Sequence, residues 1–314
     1  MNAVPTKPSS DAGLDTKAVI AAAVTVVLWA SAFLSIRSTA AHFSPGALAQ
    51  GRMVTAALAL LVIWLIRRGG LPSRHAWPGI AISGVVWFAG YMVLLNWGEQ
   101  QVDAGTASML VNIGPILMAV FGGILLKEGF PRNLVIGVVV AFAGTLVVGF
   151  SSANATHITV LGVLLCVAAA VCYASGVVSQ KTALRYATPL QATTFGAVIG
   201  AIVCSGFSAQ LVGEIRAAPM SATANMVYLG LFPTAIAFST WAYALSRTTA
   251  GRMGATTYAV PAVVVLGSWL LLNEVPTGLA CVGGALCLLG VAISRLRQRP
   301  KAPTPRAPVV KTSA

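Results

Sequence analysis

Apolar residues in this chain come in runs of about twenty, separated by joints of a few polar, glycine or proline residues. A helix rises 1.5 Å per residue, so about 20 residues cross a hydrocarbon core roughly 30 Å thick. On that criterion the pattern predicts ten spans, near 18–37, 46–66, 76–97, 104–126, 131–150, 158–180, 190–212, 224–246, 250–272 and 276–295. The run Ala18–Ile36 is too long for a signal-peptide core and more apolar runs follow it, so it reads as a retained first span. Residues 1–17 and 296–314 are polar and proline-bearing and read as disordered tails, the second of them basic. The expected fold class is an all-α polytopic membrane protein with ten transmembrane helices.

The joints carry a second pattern. Ala104-Gly105, Asn112, Pro115 and Leu126-Lys127-Glu128 return 146 residues later as Ala250-Gly251, Tyr258, Pro261 and Leu272-Asn273-Glu274. Gly137 and Gly144 recur at the same offset as Gly283 and Gly290, and Trp29-Ala30-Ser31 recurs at an offset of 144 as Tyr173-Ala174-Ser175. Two copies of five spans, 18–150 and 158–295, follow from this register. Five is odd, so the second copy is expected upside-down relative to the first. Inverted repeats of this kind belong to transporters that alternate access around a midplane site.

Charge supports that order. With the N-terminus inside, the inner joints hold Arg67, Arg68, Arg74, Lys127, Arg132, Lys181, Arg185, Arg247 and Arg252. The outer joints hold only Arg37 and Arg216 among bases, beside Glu99, Asp103, Glu214 and Glu274. Basic residues stay on the cytoplasmic side, so both termini are expected there. Composition agrees with a membrane protein: 57% of the residues are hydrophobic and 9% charged, against roughly 45–50% and about 25% in soluble domains. The formal charge of +13 lies in joints and tails, which argues for a solvated cytoplasmic face and against nucleic acid.

The first span's Trp29-Ala30-Ser31-Ala32-Phe33, the stretch Pro45 to Arg52, and Ala104-Gly105 with Pro115 and Leu126-Lys127-Glu128-Gly129 resemble the EamA family of the drug/metabolite transporter superfamily. Tyr228-Leu229-Gly230, Ala250-Gly251 with Pro261, and Leu272-Asn273-Glu274 extend the resemblance over residues 18 to 295. It implies a bacterial inner-membrane transporter or exporter of small organic solutes, often amino acids, and lends no catalytic residues.

Arg52 is the residue on which a solute site is expected. It sits seven positions past Pro45, about 10 Å into the second span. A charge at that depth faces a cavity or a partner, and a guanidinium fork suits a carboxylate. The alternatives are a stem reaching back to the outer headgroups and a side chain that only pins neighbouring carbonyls. Pro115, Pro261 and Pro233 fall mid-span and free the carbonyls of Val111, Thr257 and Leu229 from their helical partners. Such breaks tend to line cavities, so Pro115 and Pro261 are the candidate hinges, with Asn112 and Tyr258 presenting polar tips beside them. Trp29, Tyr91, Tyr173 and Trp241 lie deep and complete the candidate set for substrate binding; ordinary packing is the competing account for each. Trp64, Trp77 and Trp269 lie toward span ends, as interface anchors do. Gly196-x-x-x-Gly200 reads as a close helix contact, and Glu128 and Glu274 as end-of-span caps.

The five cysteines form no Cys-x-x-Cys pair, and His42, His75 and His157 do not cluster with other ligands. No metal, cofactor or catalytic residue is expected, and the chain is not read as an enzyme. With no Asp, Glu or His deep in a span, a proton relay lacks a carrier unless Glu99 or Asp103 dips inward, which favours a facilitator, exchanger or weakly coupled exporter. The expectation is therefore an inner-membrane secondary transporter exporting a small organic metabolite such as an amino acid, with a homodimer as the candidate assembly. A membrane-embedded enzyme on lipid-like substrates and a non-transporting scaffold are the alternatives.

Overall fold

The computed structural model describes residues 15–102, 107, 110–152, 159–272 and 277–296. Most of both expected tails, Asp103, His157, Asn273 and Glu274 lie outside the described residues, as do the side chains of Arg37 and Trp269. Within that range the chain is helical, with no β-strand. Helices α1 (Thr16–Ala40), α2 (Pro45–Ile66), α3 (Arg74–Gly98), α4 (Gly114–Leu125), α5 (Arg132–Ser152) and α6 (Val160–Ala183) make the first part. Helices α7 (Pro189–Ala217), α8 (Met220–Arg247), α9 (Ala250–Thr257), α10 (Ala259–Leu272) and α11 (Gly278–Arg295) follow. Seven of these are long and apolar enough to cross a membrane. Only helices satisfy every backbone group within one segment, which hydrocarbon demands of an open chain.

The starts are written locally. Thr159, Thr249 and Thr277 each accept from the backbone N–H three residues on, and Thr188 and Gln191 form a reciprocal capping box ahead of Pro189. Asp15 caps α1 by accepting from the N–H groups of Lys17 and Ala18. The first helix therefore begins at Thr16, two residues inside the expected tail, because the cap supplies the orphan amides with an acceptor. The carboxylate of Glu214 accepts from the Ser44 N–H at 2.9 Å and holds the turn into α2.

The mid-span prolines interrupt their helices. Residues 112 and 113 form a turn before α4, which starts at Gly114 with Pro115 in its first turn. Tyr258 separates α9 from α10 in the same way ahead of Pro261. Pro233 instead lies within a π-helical stretch, Gly230–Ile236, and α3 contains a second one, Gly84–Tyr91. The wider turn absorbs a missing donor without ending the helix.

α5 and α11 pack closely against each other. A Cβ at Gly137 would stand 2.5 Å from the Gly290 carbonyl, and one at Gly144 2.6 Å from that of Gly283. Numbers rise on one helix as they fall on the other, so the pair is antiparallel. Only hydrogen at these four positions lets two backbones touch, the device that packs helices where lipid offers no hydrophobic drive. Midway, the Cys287 thiol reaches the Ala141 carbonyl, at 3.5 Å and 146 residues away. Gly196 and Gly200 meet the side chain of Phe88 on α3. Outward positions such as Leu65, Leu125 and Leu164 are apolar and exposed, as a lipid-facing surface requires.

Candidate functional site

Trp29 on α1 stands at the centre of an aromatic group drawn from four helices. Its ring lies 4.9 Å from that of Trp241 and 5.8 Å from Phe238 on α8. Trp87 on α3 and Tyr173 on α6 are 6.5 and 6.3 Å away, both edge-on. Trp87 stacks on Phe238 at 4.6 Å, and Tyr91 packs on Tyr173 at 5.5 Å. Edge-on and offset pairs of this kind contribute about 0.5–1.5 kcal/mol each beyond their buried area. Trp29 is fixed in direction as well, because its indole N–H donates to the Pro233 carbonyl at 3.2 Å. Thr25 and Ser31 bind α1 to α8 above and below it, through Thr240 and Tyr228 at 2.8 Å each.

The structure thus brings together four of the candidates, Trp29, Tyr91, Tyr173 and Trp241. It adds Trp87, Phe88 and Phe238, which complete the packed group. Tyr258 and Asn112 stand apart from it. Tyr258 is fully buried beside Leu134, Val138 and Ala141, and its hydroxyl donates to the Asn112 carbonyl at 2.9 Å, 146 residues away. The two helix breaks meet each other. Tyr173 connects the regions, since its ring occupies the space that a Cβ at Gly114 would need.

Arg52 is buried, 4% exposed, and does not reach back to the surface. Its Nη2 donates to the Thr234 hydroxyl at 3.4 Å, while its Nε has no partner among the described residues. Thr234 in turn donates to the Leu229 carbonyl at 2.8 Å, which lacks its ordinary i+4 donor because Pro233 has no N–H. One hydroxyl therefore supports the break and steadies the guanidinium. Thr234 follows Pro233, whose carbonyl the Trp29 indole holds, so the cation lies near the aromatic group. The Tyr173 hydroxyl faces Thr257 outside ordinary hydrogen-bond geometry, and the Trp241 indole N–H has no partner among the described residues. A buried donor left idle costs about 1–3 kcal/mol, more for a charged one.

At the end of the bundle holding Asp15, the joint between α8 and α9 is held from three sides. Lys181 donates to the carbonyls of Leu245 and Thr248. The carboxylate of Glu128 accepts from the Ala250 N–H at 2.8 Å. Asp15 pairs with Arg247 at 2.9 Å, and that guanidinium lies over the Tyr243 ring. Glu128 is a cap, though for a neighbouring helix; the corresponding pair, Glu274 and Ala104, lies outside the described residues. Among the described residues no three His, Cys, Asp or Glu side chains gather as metal ligands would.

Arg52 was visible in the sequence as an isolated charge in an apolar run. Its holder Thr234 was not, because the contact joins residues 182 apart. Phe238 carries no polar atom to single it out.

A model of the EamA-like transporter family matches residues 16–150 and again residues 160–296. The "Probable terminal-alkyne amino-acid exporter" of Streptantibioticus cattleyicolor is 36% identical over 92% of this chain and 98% of its own length. The "Probable amino-acid metabolite efflux pump" of Escherichia coli (strain K12) is 25% identical over 88% of this chain and 93% of its own. A crystal structure superposes with a TM-score of 0.73 at 23% identity, covering 89% of this chain and 96% of that one, a likeness of fold. Family match and apolar helices agree: this chain belongs to the EamA-like transporter family and is a multi-pass membrane transporter of small solutes.

Proposed function

We propose that the protein exports an amino-acid metabolite across the bacterial inner membrane by alternating access between two inverted five-span halves, residues 18–150 and 158–295, acting as a carrier and not as an enzyme. Arg52 carries the reading. A buried guanidinium with an unpartnered Nε, set beside a wall of aromatic rings, suits a solute with a carboxylate at one end and an apolar body. Amino acids have that form, and two relatives bear amino-acid exporter or efflux names.

Three observations support ten spans in inverted halves. The family model fits the chain twice in succession. Tyr258 bonds to Asn112 and Cys287 to Ala141, pairs 146 residues apart that an internal two-fold axis would bring face to face. The glycine seam pairs Gly137 with Gly290 and Gly144 with Gly283, each contact being the other's image under that register. Pro115 and Pro261 then act as hinges, because the breaks beside them meet at the axis. The end bearing Lys181, Arg247 and Asp15 is cytoplasmic by its excess of bases, which puts both termini inside.

Counterflow in proteoliposomes tests the proposal: vesicles loaded with an unlabelled amino acid should accumulate the labelled one transiently. Arg52→Ala at equal reconstituted protein should abolish that overshoot. Overshoot of no amino acid in a broad panel, or full overshoot in the Arg52 variant, contradicts it.

A further inference from the structure

The two parts of α8 are tied to the bundle in different ways. Residues 220–236 are pinned to α2. A Cβ at Gly230 would stand 2.5 Å from the Thr55 side chain and 3.0 Å from the Arg52 carbonyl, and the Thr234 hydroxyl accepts from Arg52. Ala237–Arg247 contains no glycine, and side-chain hydrogen bonds hold it to its neighbours. Near its start, the Thr25 hydroxyl of α1 lies 3.2 Å from the Ala237 carbonyl and 2.8 Å from the Thr240 hydroxyl. Thr193 of α7 donates to the Phe238 carbonyl at 3.4 Å. At its end, Lys181 of α6 donates to the carbonyls of Leu245 and Thr248, and Arg247 makes its exposed pair with Asp15. Between the two parts lies the π-helical stretch Gly230–Ile236 with Pro233 inside it, the kind of irregularity at which helices bend.

Lys181 is half-buried and is spent on carbonyls. The carboxylates of Asp15, Glu128 and Glu214 are engaged elsewhere, with Arg247, the Ala250 N–H and the Ser44 N–H. The last carbonyls of a helix carry the negative end of its dipole, so an ammonium group is attracted there. This is a full charge on partial ones, strong enough to hold the end of α8 and weak enough to be exchanged for water. Leu245 lies nine residues past Ile236, about 14 Å along the helix. A further bend of about 20° at the π-helical stretch would carry it about 5 Å, beyond the reach of Lys181. Trp241 lies midway, so the same motion lifts its ring off that of Trp29 and opens the aromatic group toward the Asp15 end.

We propose that Ala237–Arg247 is a lever hinged at Gly230–Ile236, and that Lys181 is the latch that keeps the aromatic centre shut on the Asp15 side. Releasing the latch gives a solute access to Trp241 and then to Arg52. Closing it again seals that side while the solute leaves by the other. The inference deepens the alternating-access reading and rests on it, by naming the element that moves and the contact that must break. Lys181 acts through α8 and touches no solute, which makes it a positioning residue.

Thiol accessibility tests the latch without any solute. Ala244 is 1% exposed and lies between Trp241 and the latch, whereas Ala222, 3% exposed, lies ahead of the bend. Ala244→Cys and Ala222→Cys are made singly in the full chain carrying Cys281→Ala, since Cys281 is exposed. Reaction with a charged methanethiosulfonate is timed in lipid nanodiscs, where both faces are reachable, against the same chain without the added thiol. With Lys181 in place, Ala244→Cys should react slowly. Lys181→Met should speed it at least fivefold, and Lys181→Arg should restore the slow rate, because a guanidinium still donates to two carbonyls. Ala222→Cys should keep its rate throughout. A lysine that only stabilised the fold would, when lost, raise both rates or neither, and either result overturns the latch. Should Lys181→Met not fold, Lys181→Gln decides: a rise of at least twofold confined to Ala244→Cys supports the latch, and no rise overturns it. Failure of the unsubstituted protein to exchange any amino acid in counterflow would sink the amino-acid reading alone, since the thiol rates judge the latch independently.

Discussion

The seam between α5 and α11 and the aromatic centre around Trp29 are both buried and both join the two halves of the chain, yet they are built on opposite terms. At the seam each glycine meets backbone atoms of the facing helix, and the polar side chains there are served: Thr145 donates to Ala141, and the Cys287 thiol lies 3.6 Å from its hydroxyl. At the centre the side chains are also buried, but Arg52, Tyr173 and Trp241 hold atoms with no hydrogen-bond partner among the described residues. A region that only holds the protein together closes its hydrogen bonds. A region that binds leaves some open, accepting a loss of stability that a solute then offsets.

The hardest blow to that contrast falls on the seam. Gly290→Leu or Gly144→Leu forces side-chain atoms into the facing backbone; it should cost about 3 kcal/mol or more, at or above the top of the usual range for overpacking, and leave little monodisperse protein on size-exclusion chromatography. A variant that purifies and melts like the unsubstituted chain would show that the seam is not the frame. Arg52→Ala should do the reverse. Transport is expected to drop about 100-fold through two lost charge-assisted bonds, with Arg52→Lys in between and thermal unfolding no lower than before.

Tyr258→Phe sharpens the comparison where the two helix breaks meet. Losing its bond to the Asn112 carbonyl should lower stability by about 1 kcal/mol, read as a lower midpoint in thermal unfolding, with solute affinity unchanged if Tyr258 is a structural tie. A change in affinity at constant stability would return Tyr258 to the solute site. Least affected should be Asp15→Asn. That pair with Arg247 is about 40% exposed on both sides, and such pairs contribute under about 1 kcal/mol, so its unfolding temperature should stay within a degree or two of the original.

Much of this was legible beforehand, for definable reasons. Apolar run length marks helices that lie in lipid, and a lone Arg52 or a mid-span proline stands out against such a run. The 146-residue register, seen first as matching residues, reappears as touching ones in Tyr258 and Asn112. What could not be read was direction around each helix axis. When a helix is apolar on every side, no alternation of polarity tells which face turns inward, so Tyr258 was grouped with Trp29 and Tyr173 although it faces Val138 and Ala141.

The measurement that bears most directly on the idea of a centre kept open for a solute is thermal unfolding of Arg52→Met, with and without a transported amino acid. Empty, this variant should melt above the unsubstituted protein, because an unsatisfied buried charge has been replaced by an apolar chain of similar length. With the amino acid added, its melting temperature should not move, while that of the unsubstituted protein rises. A variant that melts lower when empty and is still stabilised by the amino acid would contradict the account.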